Sequence, residues 1–367
     1  MKTVLKPALL AAAIAAGLLA PQASHAEAPR AAAVTQQRNL AAFSAIELSG
    51  PFDVVVRAQG RQALQLSGER AQQLDEIETF VRGDTLVVRQ LERKGFHFSW
   101  GKRQAPTISI TAAQLTSLKM SGSGDVDLSQ LSGERLALSV DGPGDLQAAG
   151  TVRDLTLRAS GSGDVDLRRL KSANLELAQS GPGDVRLAGV GNALVASMSG
   201  SGDLDADDLR LARLDARMSG PGSMTLSGSA RELRADISGS GDFDAGELAV
   251  QRATVKTRGP GDIELAQVSD TLDAELRGSG GLEARIAGKR LLLKLSGPGT
   301  ARVEGKVELV KAQLSGSGAL EGRGLTAGRA EISVDGPGNA AVHVVGRGDD
   351  AGQLLVVDRN GSRQVGQ

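Results

Sequence analysis

One short stretch, Ser121-Gly122-Ser123-Gly124-Asp125-Val126-Asp127-Leu128, recurs along most of the chain. The first glycine of its G-x-G core falls at Gly122, Gly142, Gly161, Gly181, Gly200, Gly220, Gly239, Gly259, Gly278, Gly297, Gly316 and Gly336. These twelve copies recur at a period of about 19–20 residues. A fixed period of this size marks a stacked array in which each unit buries its apolar face only against its neighbours. The middle residue alternates strictly, from Ser123 and Pro143 to Ser317 and Pro337, so the full sequence repeat is a double one of about 39 residues.

Each half reads strand, turn, strand. Leu155, Leu157 and Ala159 alternate with polar residues before the turn, and Val165 and Leu167 alternate with Asp164 and Asp166 after it. Period two marks strands with one buried face. Proline presets the first central residue of a type II turn, and the glycine after it supplies the positive φ, so Gly181-Pro182-Gly183-Asp184 is predicted to form one. The fold class is therefore all-β, a parallel β-helix or solenoid with alternating GSG and GPG turns. The simplest stacking is one coil per double repeat of about 39 residues, with Ser turns on Ser turns and Pro turns on Pro turns. The rival is one coil per half-repeat of about 19–20 residues, with both types in a single column. Strands stack about 4.8 Å apart, so six coils span roughly 29 Å and twelve roughly 58 Å.

In chain order, residues 1–26 read as a secretory signal. Lys2 and Lys6 form a basic start, Ala8 to Leu19 an apolar core, and Ser24-His25-Ala26 a cleavage site. Cleavage before Glu27 is expected, and no later stretch could span a membrane as a helix. The expected address is exported, either periplasmic or secreted to the cell surface or beyond. There is no cysteine, hence no disulfide framework. The segment left behind would hold 40 basic and 43 acidic residues, a balance that argues against a nucleic-acid partner. Aromatics make up 2% of the chain, so the core must be built from Leu, Val, Ile and Ala.

Residues 27–37 read as a lead-in without structure, 38–119 as an N-terminal β cap, 120–345 as the repeat solenoid and 346–367 as a C-terminal tail. Within the cap, strands are expected around Leu64 and Leu66, at Leu86 to Val88 and at Ile108 to Ile110, with a helical turn in Gln72 to Phe80. Leu354 to Val357 would add one last strand. Phe96, Phe98 and Trp100 stand at every second position between basic pairs. They are the candidate partner-binding residues, against the competing reading of a hairpin that covers the solenoid end. Arg347-Gly348-Asp349 is ascribed to chance in a chain rich in those residues.

The entry Phe43-Ser44-Ala45-Ile46 with Ser49-Gly50-Pro51-Phe52-Asp53-Val54, followed by Leu115 to Asp125, resembles the bacterial head GIN domain family. That family is described as "putative auto-transporter adhesin" domains and was carried as a domain of unknown function. The resemblance covers about residues 40–345. It implies a β-helix related in shape to pectin lyases, with no catalytic set and a role in adhesion. It supplies no site residues to transfer.

The acidic columns are the best chemical candidate. Asp125, Asp145, Asp164, Asp184, Asp203, Asp242 and Asp262 directly follow their G-x-G, with lapses at Ser223, Gly281, Thr300, Ala319 and Asn339. Two residues further on, the Ser-type halves carry Asp127, Asp166, Asp205, Asp244, Glu283 and Glu321. Stacked on one another, Asp127, Asp166, Asp205 and Asp244 would repel, which calcium could relieve. The competing reading, preferred because the column lapses, is that each first Asp caps its own turn and the second carboxylate faces water. Catalysis needs a cluster of unlike groups, and His97 and His343 stand far apart. The glycines never complete G-x-G-x-x-G.

The expectation is an exported, non-enzymatic structural, adhesion or scaffold module without a cofactor, whose partner is a cell-envelope or extracellular protein or glycan. The alternatives are a carbohydrate-active β-helix enzyme and a calcium-stabilised solenoid. A carboxylate pair enclosed in a cleft with an Arg or Lys would favour the enzyme.

Overall fold

The structure is a computed structural model that describes residues 34–91, 105–345 and 353–365. About 70% of the described residues are strand and 2% helix. The N-terminal strands are β1 (Val34–Arg38), β2 (Ala45–Ser49), β3 (Asp53–Arg57), β4 (Ala63–Gly68), β5 (Ile77–Arg82), β6 (Thr85–Gln90), β7 (Thr107–Thr111) and β8 (Ser117–Met120). One short helix, α1 (Ala71–Asp75), lies between β4 and β5. The repeats give β9 (Val126–Val140), β10 (Leu146–Ala159), β11 (Val165–Gln179), β12 (Val185–Ala188), β13 (Val190–Met198), β14 (Leu204–Met218) and β15 (Met224–Ile237). They continue with β16 (Phe243–Thr257), β17 (Ile263–Leu276), β18 (Leu282–Leu295), β19 (Thr300–Leu314) and β20 (Ala319–Val334). The chain closes with β21 (Asn339–Val344), β22 (Gln353–Asp358) and β23 (Gly361–Val365).

The register corrects the expected coil of one double repeat. Leu146 pairs in parallel with Val126 on one side and with Val165 on the other, and Leu155 likewise with Leu136 and Leu175. One rung of the solenoid is therefore a single half-repeat, and GSG and GPG turns alternate up a single column. The physical reason lies in the inward positions. Val126, Leu128, Leu131, Leu136, Leu138 and Val140 are all buried, so one half already supplies a closed ring of apolar side chains. A second half is not needed to complete it.

Each rung has two long faces that meet at the G-x-G corner. The opposite bend lies eight residues after the first glycine. It takes positive φ at Gly150 (141°), Gly228 (115°) and Gly305 (114°), all in Pro-type rungs, and at Gln130 (58°) and Asp208 (50°) in Ser-type rungs. The corner itself corrects the type II expectation. The glycines of the twelve repeat corners are absent from the left-handed region. What they answer to is the stack: a Cβ on Gly163 would overlap the carbonyl oxygen of Gly144 one rung below. The corners are hydrogen-bonded along the column, with Gly163 N–H donating to Gly142 O (3.3 Å) and Gly202 N–H to Gly181 O (3.3 Å). The second glycine is the donor, so the middle residue needs no N–H, and proline fits there as well as serine.

The first rung is laid down by the N-terminal strands. Leu48 of β2 pairs with Met120, and Val54 of β3 with Val126. Gly50-Pro51-Phe52 is thus the first turn of the column, with buried Phe52 in place of the second glycine. Below this rung β6 extends one face and β7 the other, both in parallel. Antiparallel β5 then covers β6, and β4 and β1 follow β7. The strands expected at Leu64–Leu66, Leu86–Val88 and Ile108–Ile110 are all present. The expected helical turn is confined to α1, and β5 takes the rest of that stretch. The lead-in expected to lack structure through residue 37 instead enters a strand at Val34, because β1 pairs along the edge of β4. The core runs between the two faces, with Phe243 its largest fully buried side chain in the repeats.

Candidate functional site

The chemistry concentrates on the face that follows the corner. In the first acidic column each carboxylate reaches along the stack. Asp145 N–H donates to Asp125 Oδ1 (3.0 Å), Asp164 N–H to Asp145 Oδ1 (2.8 Å), Asp184 N–H to Asp164 Oδ1 (3.0 Å) and Asp203 N–H to Asp184 Oδ1 (3.0 Å). The ladder starts at Asp53 and continues through Ser223 to Gly281, whose N–H bonds Asp262 Oδ1 (2.7 Å). The carboxylate therefore caps the next rung rather than its own turn, which corrects the sequence expectation. Such bonds to an ionised acceptor are stronger than neutral ones.

Where the acid lapses for good, the strand starts one residue earlier. β19, β20 and β21 begin at Thr300, Ala319 and Asn339 themselves, and Thr300 pairs with Ala319 and Ala319 with Asn339.

The second column does not bring Asp127, Asp166, Asp205 and Asp244 together. Gln147 separates the first two, Arg186 the next pair and Thr225 the last, so each acid stands two rungs from the next. Two rungs are about 9.6 Å. Arg186 is the residue that sequence reasoning passed over. It contacts Asp164 (3.3 Å), Asp184 (3.2 Å) and Asp205 (3.9 Å). Its position opposite the acids was visible in the repeat alignment and waited only on the correct coil length.

Two of the acids are perturbed in opposite senses. Asp166 is held below the usual carboxylate range, chiefly by the side-chain hydrogen bonds of Arg168, Nε at 3.0 Å and Nη2 at 2.5 Å. Asp205 is pushed up, first by partial burial and then by Asp203, Asp184 and Asp207, with Arg186 opposing. Asp244 accepts from Gly246 N–H (2.7 Å).

One shallow depression on this face has a volume of about 430 Å³. It is edged by Asp242, Asp244, Asp262, Glu264, Glu283 and Arg302, none of them buried. It carries carboxylates and an arginine, but on an open surface rather than in a cleft. Among the described residues no three His, Asp or Glu side chains are placed to hold a metal ion. His343 Nδ1 lies 2.7 Å from Arg323 O, near the C-terminal end. Phe96, Phe98 and Trp100, with His97 and the Arg347-Gly348-Asp349 tripeptide, lie outside the described residues.

A capped β-solenoid with one acidic corner face is the class that these features define. The chain belongs to the family described as "Putative auto-transporter adhesin, head GIN domain", whose model matches residues 42–204, 189–285 and 269–349. Among solved structures it is similar to a putative adhesin from Bacteroides fragilis NCTC 9343, at 20% identity over 74% of this chain and 96% of that one, TM-score 0.32. It is also similar to a putative lipid binding protein from Parabacteroides distasonis ATCC 8503, at 17% identity over 82% and 96%, TM-score 0.39. A third is a putative adhesin from Parabacteroides merdae ATCC 43184, at 16% identity over 82% and 96%, TM-score 0.39. No curated protein matches the chain. No helix among the described residues is long and apolar enough to cross a membrane.

Proposed function

We propose that the protein is an exported, non-enzymatic adhesion or scaffold module whose acidic corner face meets a cell-envelope or extracellular protein or glycan. The observation that carries this reading is the use made of the charged groups. The first acidic column is engaged in capping successive rungs, and Arg168, Arg186 and Arg302 pair acids of the second. These groups support a long repetitive surface rather than one reacting centre. Family membership agrees with such a role.

Export is supported by the basic start, apolar core and cleavage pattern of residues 1–26. Cell fractionation with mass spectrometry of the purified chain tests it, and the expected new N-terminus is Glu27. The binding role is tested with the fluorescently labelled chain on intact cells and on arrayed envelope glycans. Saturable binding that weakens when Asp127, Asp244, Glu264 and Glu283 are neutralised together is the expected outcome. New reducing ends or unsaturated sugar products released from polysaccharides by the wild-type chain would overturn it in favour of an enzyme.

A further inference from the structure

The face that leads into the corner carries a charge pattern of its own. Arg158, Arg217, Lys256 and Lys294 stand in one outward column along the stack. Ala178 and Ser197 separate the first two, Asp236 the next pair and Glu275 the last. Both of these acids are engaged from the neighbouring column, Asp236 by Arg258 (2.8 Å) and Glu275 by Arg277. The four cations are exposed, and among the described residues none has a carboxylate within ion-pair distance. With strands about 4.8 Å apart, the gaps between successive cations are about 14, 9.6 and 9.6 Å.

Between this column and the residues that precede each G-x-G lies a shallow trough of about 420 Å³. It extends over the rungs from Ala178 to Arg258, so its long axis follows the stack for about 19 Å. Side-chain size is its cause. Ala178 and Ser197 leave room where other rungs carry Arg158, Lys256 or Lys294. Ser180, Ser199, Ser219 and Ser238 do the same where later rungs carry Arg258 and Arg277. Arg217 lines the trough on its middle rung. The hydroxyls of Ser180, Ser197 and Ser199 have no hydrogen-bond partner among the described residues. Ser219 Oγ donates to Met198 O (3.4 Å) and Ser238 Oγ to Met218 O (3.3 Å), which leaves their lone pairs open to a donor.

We propose that this trough binds a linear acidic glycan lying along the stack, with carboxylates on Arg217 and Lys256 and sugar hydroxyls on the serine column. Arg158 and Lys294 extend the track beyond its two ends. An extended (1→4)-linked sugar chain advances by about one rung per ring. Serines one rung apart therefore meet successive sugars, and cations two rungs apart meet every second one. No aromatic side chain stands on this face of the repeats, so sugar rings have no platform to stack on. The attraction must come from the free guanidinium and ammonium groups, which selects charged sugars over neutral ones. The same lack of rings counts against single-stranded nucleic acid, which stacks its bases on them. No large apolar side chain is exposed here, which counts against a lipid surface. An extended acidic peptide advances about 3.4 Å per residue and falls out of step with the rungs. This face is separate from the acidic corner face, and the variants below leave the latter intact.

The test is calorimetric titration of the purified chain at low ionic strength with oligomers of β-(1→4)-mannuronate and α-(1→4)-galacturonate. β-(1→4)-Mannan oligomers of equal length serve as the uncharged counterpart. An acidic oligomer is expected to bind and mannan not to. Arg217→Ser combined with Lys256→Ser is expected to weaken binding about tenfold, with unchanged circular dichroism. Ser199→Glu, which sets a carboxylate in the trough, is expected to weaken it at least as much, and Arg217→Lys scarcely at all. Added salt should weaken binding. Affinity should rise with oligomer length to about eight sugars, the span from Arg158 to Lys294, and then level off. No binding of either acidic oligomer, equal binding of mannan, or an affinity unchanged in both the double variant and Ser199→Glu would overturn the proposal. Tighter binding of an oligoglutamate of equal charge would also overturn it, in favour of an acidic protein segment.

Discussion

The rungs from Asp125 to Gly281 and those from Thr300 to Asn339 meet the same requirement in two ways. In each, the residue after G-x-G presents an N–H along the stack. In the earlier rungs a side chain below accepts it, a carboxylate as between Asp164 and Asp145 or, under Asp242, the Ser223 hydroxyl. In the later ones the strand lengthens by one residue and Thr300, Ala319 and Asn339 join the ladder themselves. The side-chain cap of the earlier rungs thus gives way to a longer backbone ladder in the later ones. An acidic column can therefore lapse without a break in the solenoid, and its presence is no sign of an obligatory metal.

The largest expected effect strikes what the two regions share. Gly163→Ala drives a methyl into the carbonyl of Gly144. It should cost more than about 3 kcal/mol or prevent folding, whereas Gly133→Ala, which meets open space, should gain a few tenths. Urea unfolding of the two variants measures the difference. Next comes the cap itself. Asp164→Ala strips the acceptor from Asp184 N–H and a partner from Arg186, and should cost about 1–2 kcal/mol. Thr300→Asp adds a carboxylate where Ala319 is already paired, and should stay within about 0.5 kcal/mol of wild type. Equal costs for the two would break the comparison.

Smaller effects come from pH. The carboxyl of Asp166 is depressed, so its contribution is present above the ordinary carboxylate range and is lost as pH falls through its folded value. Asp166→Asn should destabilise at neutral pH, and the difference should vanish in acid. Asp205 is raised, so the sign reverses: its contribution is present at low pH and fades as pH rises. Asp205→Asn should be neutral or stabilising at pH 7. Unfolding midpoints from pH 3 to 8 measure both. The smallest expected effect is that of calcium. Millimolar calcium against EDTA should scarcely move the wild-type midpoint, since Arg186 already lies among Asp164, Asp184 and Asp205. In Arg186→Thr the shift should grow, because a bound ion stabilises the folded state by mass action.

The all-β solenoid was legible from the period-two pattern around each G-x-G. The coil length was not. The Ser/Pro alternation pointed to a double repeat, but it sits at a position whose N–H the column does not use. The inward positions, identical in kind from half to half, held the answer. The roles of the acids followed the same course. Asp164 and Asp184 were visible as candidates, but whether a carboxylate caps its own turn or the next depends on which rung lies above it. Arg186 became part of the acidic face only once Pro-type and Ser-type halves shared one column.

The single-column corner also bears on how the molecule answers a load. Rungs are fastened to one another by bonds that run along the long axis, and each is a closed unit of one half-repeat. Pulled from its two termini, the chain would peel one rung at a time from an end. Each release would give roughly 60–65 Å of slack for a spacing of about 4.8 Å. Such a molecule would yield in small repeated steps rather than rupture at once.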